Sequence, residues 1–261
     1  MGKGSPPEII PFQRRILRRL GRYRYLMAGF VVLSAAFLAL PVARFTDPTS
    51  TVLEDSRGEL LSAKISADGQ WRFPGCDSVP NKIRECILKY EDEYFYSHPG
   101  VNPVSLIRAL ISNVKEGKII LGGSTLTMQV IRLSRKGRPR TVGQKIIEIF
   151  LAFRLETSLT KEEILQLYAS HAPYGGNVVG MDAASWRYYG RAANKLSWGE
   201  AATLAVLPNA PSLIYPGKNH ERLMAKRNRL LDKLEDRGII DRVSCDLAKS
   251  EPLPGKPHAL S

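Results

Sequence analysis

Residues 81–100 read NKIRECILKYEDEYFYSHPG, and the rest of the chain is organised around them. Ile83, Ile87 and Leu88 recur at helical spacing from Asn81 toward Tyr90. Three acids, Glu91, Asp92 and Glu93, close that helix, and Tyr94, Phe95, Tyr96, His98 and a Pro99-Gly100 turn follow at once. Acids at a helix C-terminus oppose the macrodipole at a cost of roughly 0.3–1 kcal/mol each near a surface. Such a local conflict calls for a cationic partner or a function. The turn would leave the last carboxylates at the lip of a cleft, where a general base can sit. A solvated acidic helix end is the plainer alternative, and this stretch alone does not choose.

Downstream, over 80–248, nearly everything reads as helix. Asn102-Pro103 is an N-cap with proline at the first helical position. It opens a helix through Leu106, Ile107, Leu110 and Ile111 that stops near Gly117. Gly122-Gly123 precedes a helix from Ser124 to about Leu133, with Ser or Thr as its cap. The basic loop at 135–140 separates it from a helix through Ile146, Ile147, Phe150 and Phe153. Thr160-Lys161-Glu162-Glu163 and Ser197-Trp198-Gly199-Glu200 are capping boxes. Gly238 marks the left-handed end of a helix carrying Lys226, Arg227 and Leu230. The Pro-rich tail, 249–261, reads as loose.

Upstream, 44–79 is extended. Thr51-Val52-Leu53, a turn at Asp55-Ser56-Arg57-Gly58, and Leu60-Leu61 give strand, turn, strand, with a further strand near Trp71-Arg72-Phe73. Tyr25 to Ala43 is a run of 19 residues without charge. As a helix it would cover roughly 28 Å, close to a hydrocarbon core of about 30 Å. Residues 1–24 hold Lys3, Arg14, Arg15, Arg18, Arg19, Arg22 and Arg24 against Glu8 alone. That asymmetry predicts a transmembrane anchor over 25–43 with the N-terminus in the cytoplasm and the body outside. A cleavable signal peptide competes, but the apolar run is long for one and no small-x-small site follows. The net charge of +13 suits an anionic membrane surface or a phosphorylated substrate. It would also suit nucleic acid, which an exported body makes a poor partner. Cys76, Cys86 and Cys245 lack C-x-x-C spacing, so neither zinc nor redox chemistry is expected. Ser112-Asn113-Val114-Lys115 matches S-x-x-K without the accompanying S-D-N or K-T-G, and is read as chance.

Three constellations can carry chemistry. The first is the Glu91 stretch. The second is Gly122-Gly123-Ser124-Thr125-Leu126-Thr127-Met128-Gln129, whose helix start offers free N–H groups and hydroxyls to phosphate or sugar oxygens. The third is Lys145 and Glu148, three apart on one helix face, which in isolation is usually a surface ion pair. Arg132 and the basic loop lie between the second and the third. Together they supply what is needed to deprotonate a hydroxyl nucleophile and hold a departing phosphate.

In this order the motifs resemble the peptidoglycan glycosyltransferases, glycosyltransferase family 51. Glu91-Asp92-x-x-Phe95-x-x-His98-x-Gly100 resembles the first family motif, Gly122-Gly123-Ser124-Thr125-x-Thr127-x-Gln129 the second, and Lys145-x-x-Glu148 the third. Lys161-x-x-Ile164-Leu165-x-x-Tyr168 and Arg227-Asn228-x-x-Leu231 resemble the fourth and fifth. The likeness runs from about Val52 to Ala248, with details similar to the penicillin-binding protein 1C branch. It implies a mainly α, lysozyme-like fold with a small N-terminal β element, one N-terminal transmembrane helix, and a membrane-dipping jaw near Ile119-Ile120-Leu121. It also implies polymerisation of lipid II into β-1,4-linked glycan at the outer face of the inner membrane. Glu91 would be the base and Glu148 the second carboxylate; Arg132 and Lys145 would meet the pyrophosphate. Ser124, Thr125 and Gln129 would line the donor side, with Asp92, His98 and Gly123 completing the substrate-binding set. The implied partners are lipid II, the nascent glycan strand, the membrane and other cell-wall synthesis proteins. No cofactor is named, and a divalent cation (Mg or Mn) is left open. Gln144, Gln166 and Ser170 depart from the family pattern. A lysozyme-like hydrolase and a scaffold with a decayed site are the rival readings.

Overall fold

The computed structural model describes residues 11–115, 123–136, 138–139, 141–209 and 219–260. Ile119-Ile120-Leu121, Gly122 and Arg140 lie outside them. The chain divides into two compact units, Met1–Pro41 and Val42–Ser261.

The first unit holds one helix, α1 (Pro11–Leu38). It takes in the basic segment and part of the apolar run but stops before Ala43. Ala39 and Leu40 close the last turn onto Ala35 and Phe37. Pro41 then removes a donor and biases Leu40 away from the helix. The helical apolar part, 25–38, extends about 20 Å rather than 28. Among the described residues no helix is long and apolar enough to cross a membrane. Within the run 25–43 the helix thus ends at Leu38, and it is basic first and apolar after.

In the second unit β1 (Thr51–Glu54) and β2 (Leu60–Lys64) form the expected antiparallel hairpin, with Thr51 opposite Lys64 and a bulge between Leu53 and Glu54. The Asp55 carboxylate shapes its turn by accepting from the N–H groups of Arg57 (2.8 Å) and Glu59 (2.9 Å). β3 (Trp71–Arg72) lies where the sequence put a strand, but its partner was not foreseen: it pairs in parallel with β4 (Val178–Val179).

Helices make up the rest: α2 (Asn81–Glu91), α3 (Pro103–Lys115), α4 (Leu126–Ser134), α5 (Val142–Glu156), α6 (Lys161–His171), α7 (Met181–Tyr189), α8 (Trp198–Val206), α9 (His220–Asp236) and α10 (Arg242–Ser250). Both capping boxes are present, at Thr160 and Ser197, and Gly238 (φ 67°) follows α9. Helix α8 is buried nearly throughout. Its small side chains, Ala201, Ala202 and Ala205, let α2, α9 and α10 approach closely. A second group forms around α4, whose Leu126, Met128, Val130 and Ile131 are buried against α5 and α6. The end of α2 lies where the two groups meet.

The tail is not loose. Leu260 is buried and its carbonyl accepts from Ala63 N–H (2.5 Å), while His258 N–H bonds Arg187 O (2.6 Å). Arg227, buried on α9, donates to the carbonyls of Lys249 (2.7 Å) and Glu251 (2.6 Å). Cys76, Cys86 and Cys245 are free thiols.

Candidate active site

The three acids that end α2 meet three different fates. Glu93 is compensated by cations: Arg237 (2.8 Å), Lys233 (3.0 Å) and Lys89 (3.8 Å). Asp92 is buried and fully engaged. His98 Nε2 lies 3.0 Å from both its oxygens, and Leu126 N–H donates to Oδ2 at 3.0 Å. This carboxylate ties the end of α2 to the start of α4 and to the turn at His98. Glu91 has one hydrogen bond, from Gln129 Nε2 to Oε2 (2.8 Å), and its Oε1 is enclosed with no partner. Burial pushes the Glu91 carboxyl above its ordinary pKa, against the Gln129 amide and the Tyr168 hydroxyl. That hydroxyl is buried beside the carboxylate.

Four residues compose the second half of the site. Arg132 Nε and Nη2 hold Glu148 at 3.0 and 3.1 Å in a two-pronged pair, and Lys145 Nζ lies 3.4 Å from Glu148 Oε2. Both cations also donate to Ser124 Oγ, Lys145 at 2.5 Å and Arg132 at 3.1 Å. Burial alone would raise the Glu148 pKa. The hydrogen bonds and charge of Arg132, then of Lys145, outweigh it and hold the carboxyl below its ordinary value. The Lys145–Glu148 pair is therefore not a solvated surface contact: the Glu148 side chain keeps only 12% of its surface exposed.

Local structure explains why Ser124 is available. Thr125, not Ser124, caps α4, accepting from Met128 N–H at 3.2 Å and donating to Gly100 O at 2.6 Å. Gly123 lines the cleft but serves packing. A Cβ there would sit 3.0 Å from both Leu106 Cα and Ser105 O. Gly100, at φ 87°, lies against α5, where a Cβ would come within 2.8 Å of Glu156 Cγ and 3.0 Å of Ala152 O.

Gln129 and Arg132 are three apart on α4 and share a face, so one helix ties both carboxylates. A cleft opens beside Glu91, lined also by Gly123, Ser124 and Thr125 and by the cations Lys89, Arg108 and Lys233. Of the expected residues, Glu91, Asp92, Gly123, Ser124 and Thr125 line this cleft; Gln129 bonds Glu91, and Arg132, Lys145 and Glu148 connect to it through Ser124. Asp92, His98 and Thr125 make framework hydrogen bonds. Lys226 was missed. It donates to Asn209 Oδ1 (2.7 Å), and burial lowers its pKa while the charge of Glu91 raises it. Its place beside Arg227 in the fifth motif was the available signal. Two departures have structural uses: Gln166 Nε2 donates to Asp77 O (2.7 Å), and Ser170 Oγ accepts from Cys76 N–H (3.1 Å). A divalent cation would compete with Arg132 and Lys145 for Glu148.

Comparison with known proteins agrees. The transglycosylase family model matches residues 58–235. Penicillin-binding protein 1C of Escherichia coli (strain K12) is 40% identical over 246 residues, covering 92% of this chain and 32% of that one. Penicillin-binding protein 1A of Aquifex aeolicus (strain VF5) is 33% identical over 212 residues, 81% of this chain and 29% of the relative. The chain thus spans about a third of the length of these relatives. A 2.6 Å crystal structure of penicillin-binding protein 1A from Haemophilus influenzae covers 83% of this chain and 22% of its own, at TM-score 0.47 and 20% identity. The family match, laid over the motifs and the paired carboxylates, settles the membership: this chain belongs to the transglycosylase family, the peptidoglycan glycosyltransferases of glycosyltransferase family 51.

Proposed function

We propose that the chain polymerises lipid II, with Glu91 as the general base. The 4-hydroxyl of the acceptor N-acetylglucosamine gives its proton to Glu91 as its oxygen attacks C1 of the donor N-acetylmuramic acid. The bond from C1 to the pyrophosphate oxygen breaks and the configuration inverts to a β-1,4 link. Undecaprenyl pyrophosphate leaves with its new charge met by Arg132 and Lys145, oriented by Glu148. A raised pKa makes Glu91 a stronger base than an exposed carboxylate, and the residue lines the cleft. Preformed cations with fixed hydrogen bonds need little reorganisation as charge develops.

One observation carries this reading: of three adjacent acids, Glu93 is paired with cations and Asp92 is hydrogen-bonded into the framework, while Glu91 is buried at the cleft with no ion pair among the described residues and its carboxyl pKa raised. Support for a membrane location comes from α1. Its residues Leu26, Met27, Phe30, Val31, Val32 and Leu33 are exposed after a run of arginines. We place the N-terminus in the cytoplasm and the catalytic body outside the inner membrane, its further partners being other cell-wall synthesis proteins.

The test is lipid II polymerisation by the purified full chain. Glu91→Gln should lower turnover by about 10²–10⁴-fold while leaving the circular dichroism unchanged. Equal turnover in the two proteins refutes the assignment. Shortening of preformed glycan, with no synthesis from lipid II, would establish the hydrolase instead.

A further inference from the structure

A second polar cleft, with neither Glu91 nor Glu148 in its lining, lies between the segment that opens the second unit and the end of α4. Arg44, Arg135, Lys136 and Arg138 line it, with Asp47 as the one acid. Asp47 is already taken, its Oδ2 lying 2.7 Å from Lys136 Nζ. Ser134, on the same wall, is two positions beyond Arg132 and therefore about 200° round the helix from the catalytic cations.

Both walls are braced. Phe45 stacks on the His171 ring at 3.7 Å between centroids, with the planes 4° apart. The buried Arg72 donates to Pro48 O (2.6 Å) and Asp68 Oδ2 (2.9 Å), fixing the segment that carries Arg44. On the other side Ser134 Oγ donates to Ile131 O (2.9 Å), and Arg135 N–H closes the helix onto Arg132 O (3.2 Å). Three cations beyond the one paired to Asp47 thus line an open cleft distinct from the one beside Glu91.

We propose that this cleft binds the phosphate of an anionic phospholipid headgroup. Phosphate is the chemistry that several converging guanidinium and ammonium groups recognise. A lipid is favoured over a soluble phosphate because Arg44 directly follows the uncharged run 25–43. The proposal takes from the functional reading only that the body works beside a bilayer.

The test is calorimetric titration of the full chain in zwitterionic detergent with dihexanoylphosphatidylglycerol, dihexanoylphosphatidylcholine and glycerol 3-phosphate. The expected result is saturable binding of the phosphatidylglycerol at least ~10-fold tighter than of either other probe. The variant Arg135→Gln, Lys136→Gln, Arg138→Gln should lose that preference. A control with equal charge loss elsewhere (Arg57→Gln, Arg242→Gln, Lys256→Gln) should keep it. If the triple variant melts early, Arg44→Gln, Arg138→Gln takes its place, since both side chains are exposed. Preference surviving the cleft variants, or falling equally in the control, overturns the site. Glycerol 3-phosphate binding as tightly as the lipid overturns the lipid assignment. Binding is read without turnover, so a chain inactive on lipid II can still pass, and an active one can still fail.

Discussion

A carboxylate whose Oε1 is sealed from water without a donor raises the free energy of the ionised fold, and Glu91 is such a group. Its pKa is raised, so the sign follows directly. Below the ordinary Glu value of about 4.3, both folded and unfolded chains hold the proton and burial costs nothing. As pH climbs through the raised native value, the unfolded chain has already released its proton and stability falls. Glu91→Gln removes that ionisation. It should stabilise the fold near neutral pH by about 1–3 kcal/mol, a gain that shrinks toward pH 4. Urea denaturation of both proteins at the two pH values checks this; loss of stability at pH 7 would contradict it. Glu148 behaves oppositely. Its depressed pKa contributes stability above the ordinary carboxylate range, which is lost as pH falls through the native value. Arg132→Ala leaves it with Lys145 alone. Acid unfolding should then begin at a higher pH, and lipid II turnover should drop by about 10²–10³-fold, as read in parallel acid titrations and polymerisation assays.

At the level of elements, α4 is the part that must be held in place, because Gln129 and Arg132 both project from it. Its first turn is fixed by Asp92 through Leu126 N–H and by Thr125 through Gly100 O. Gly100→Ala therefore reaches the site indirectly. The residue sits at φ 87° and its new Cβ would meet Ala152 O at 3.0 Å, so the turn must shift and carry the cap of α4 with it. We expect a loss of about 2–4 kcal/mol and reduced turnover per folded molecule, measured by urea titration and by activity at matched folded fraction. Much of this scale was legible beforehand. Capping boxes, Asn102-Pro103 and the apolar periods are local signals, and the structure honours them. The parallel pairing of β3 with β4 was not legible, since two residues near 71 and two near 178 carry no local mark of their partnership. Local pattern alone did not tell which of the three acids would lack an ion pair; only the resemblance of the first motif singled out Glu91. The cations that neutralise Glu93 come partly from α9, at Lys233, and from Arg237 just beyond it.

At the scale of the whole molecule, the last stretch of chain closes the body, which composition alone could not reveal. Proline-rich segments read as loose because they lack periodicity, yet here single anchors hold the path: Leu260 against Ala63, His258 against Arg187, and the two carbonyls bound by Arg227. Arg227 belongs to the fifth motif, so a role in substrate binding would be the natural guess for it. Its side chain is instead buried and directed at Lys249 O and Glu251 O, carbonyls that the end of α10 leaves without helical donors. Replacing it with Leu preserves bulk but strands those carbonyls and removes two charge-assisted hydrogen bonds. The expected cost is about 3–5 kcal/mol, with the tail released to proteolysis. Because Arg227 makes no contact with Glu91 or Glu148 among its hydrogen bonds, lipid II turnover per folded molecule should stay within about two-fold of wild type. Urea denaturation, limited proteolysis mapped to residues beyond 250, and turnover normalised to folded protein separate the cases. A large fall in normalised turnover with an unchanged unfolding midpoint would move Arg227 into the substrate site and out of the frame.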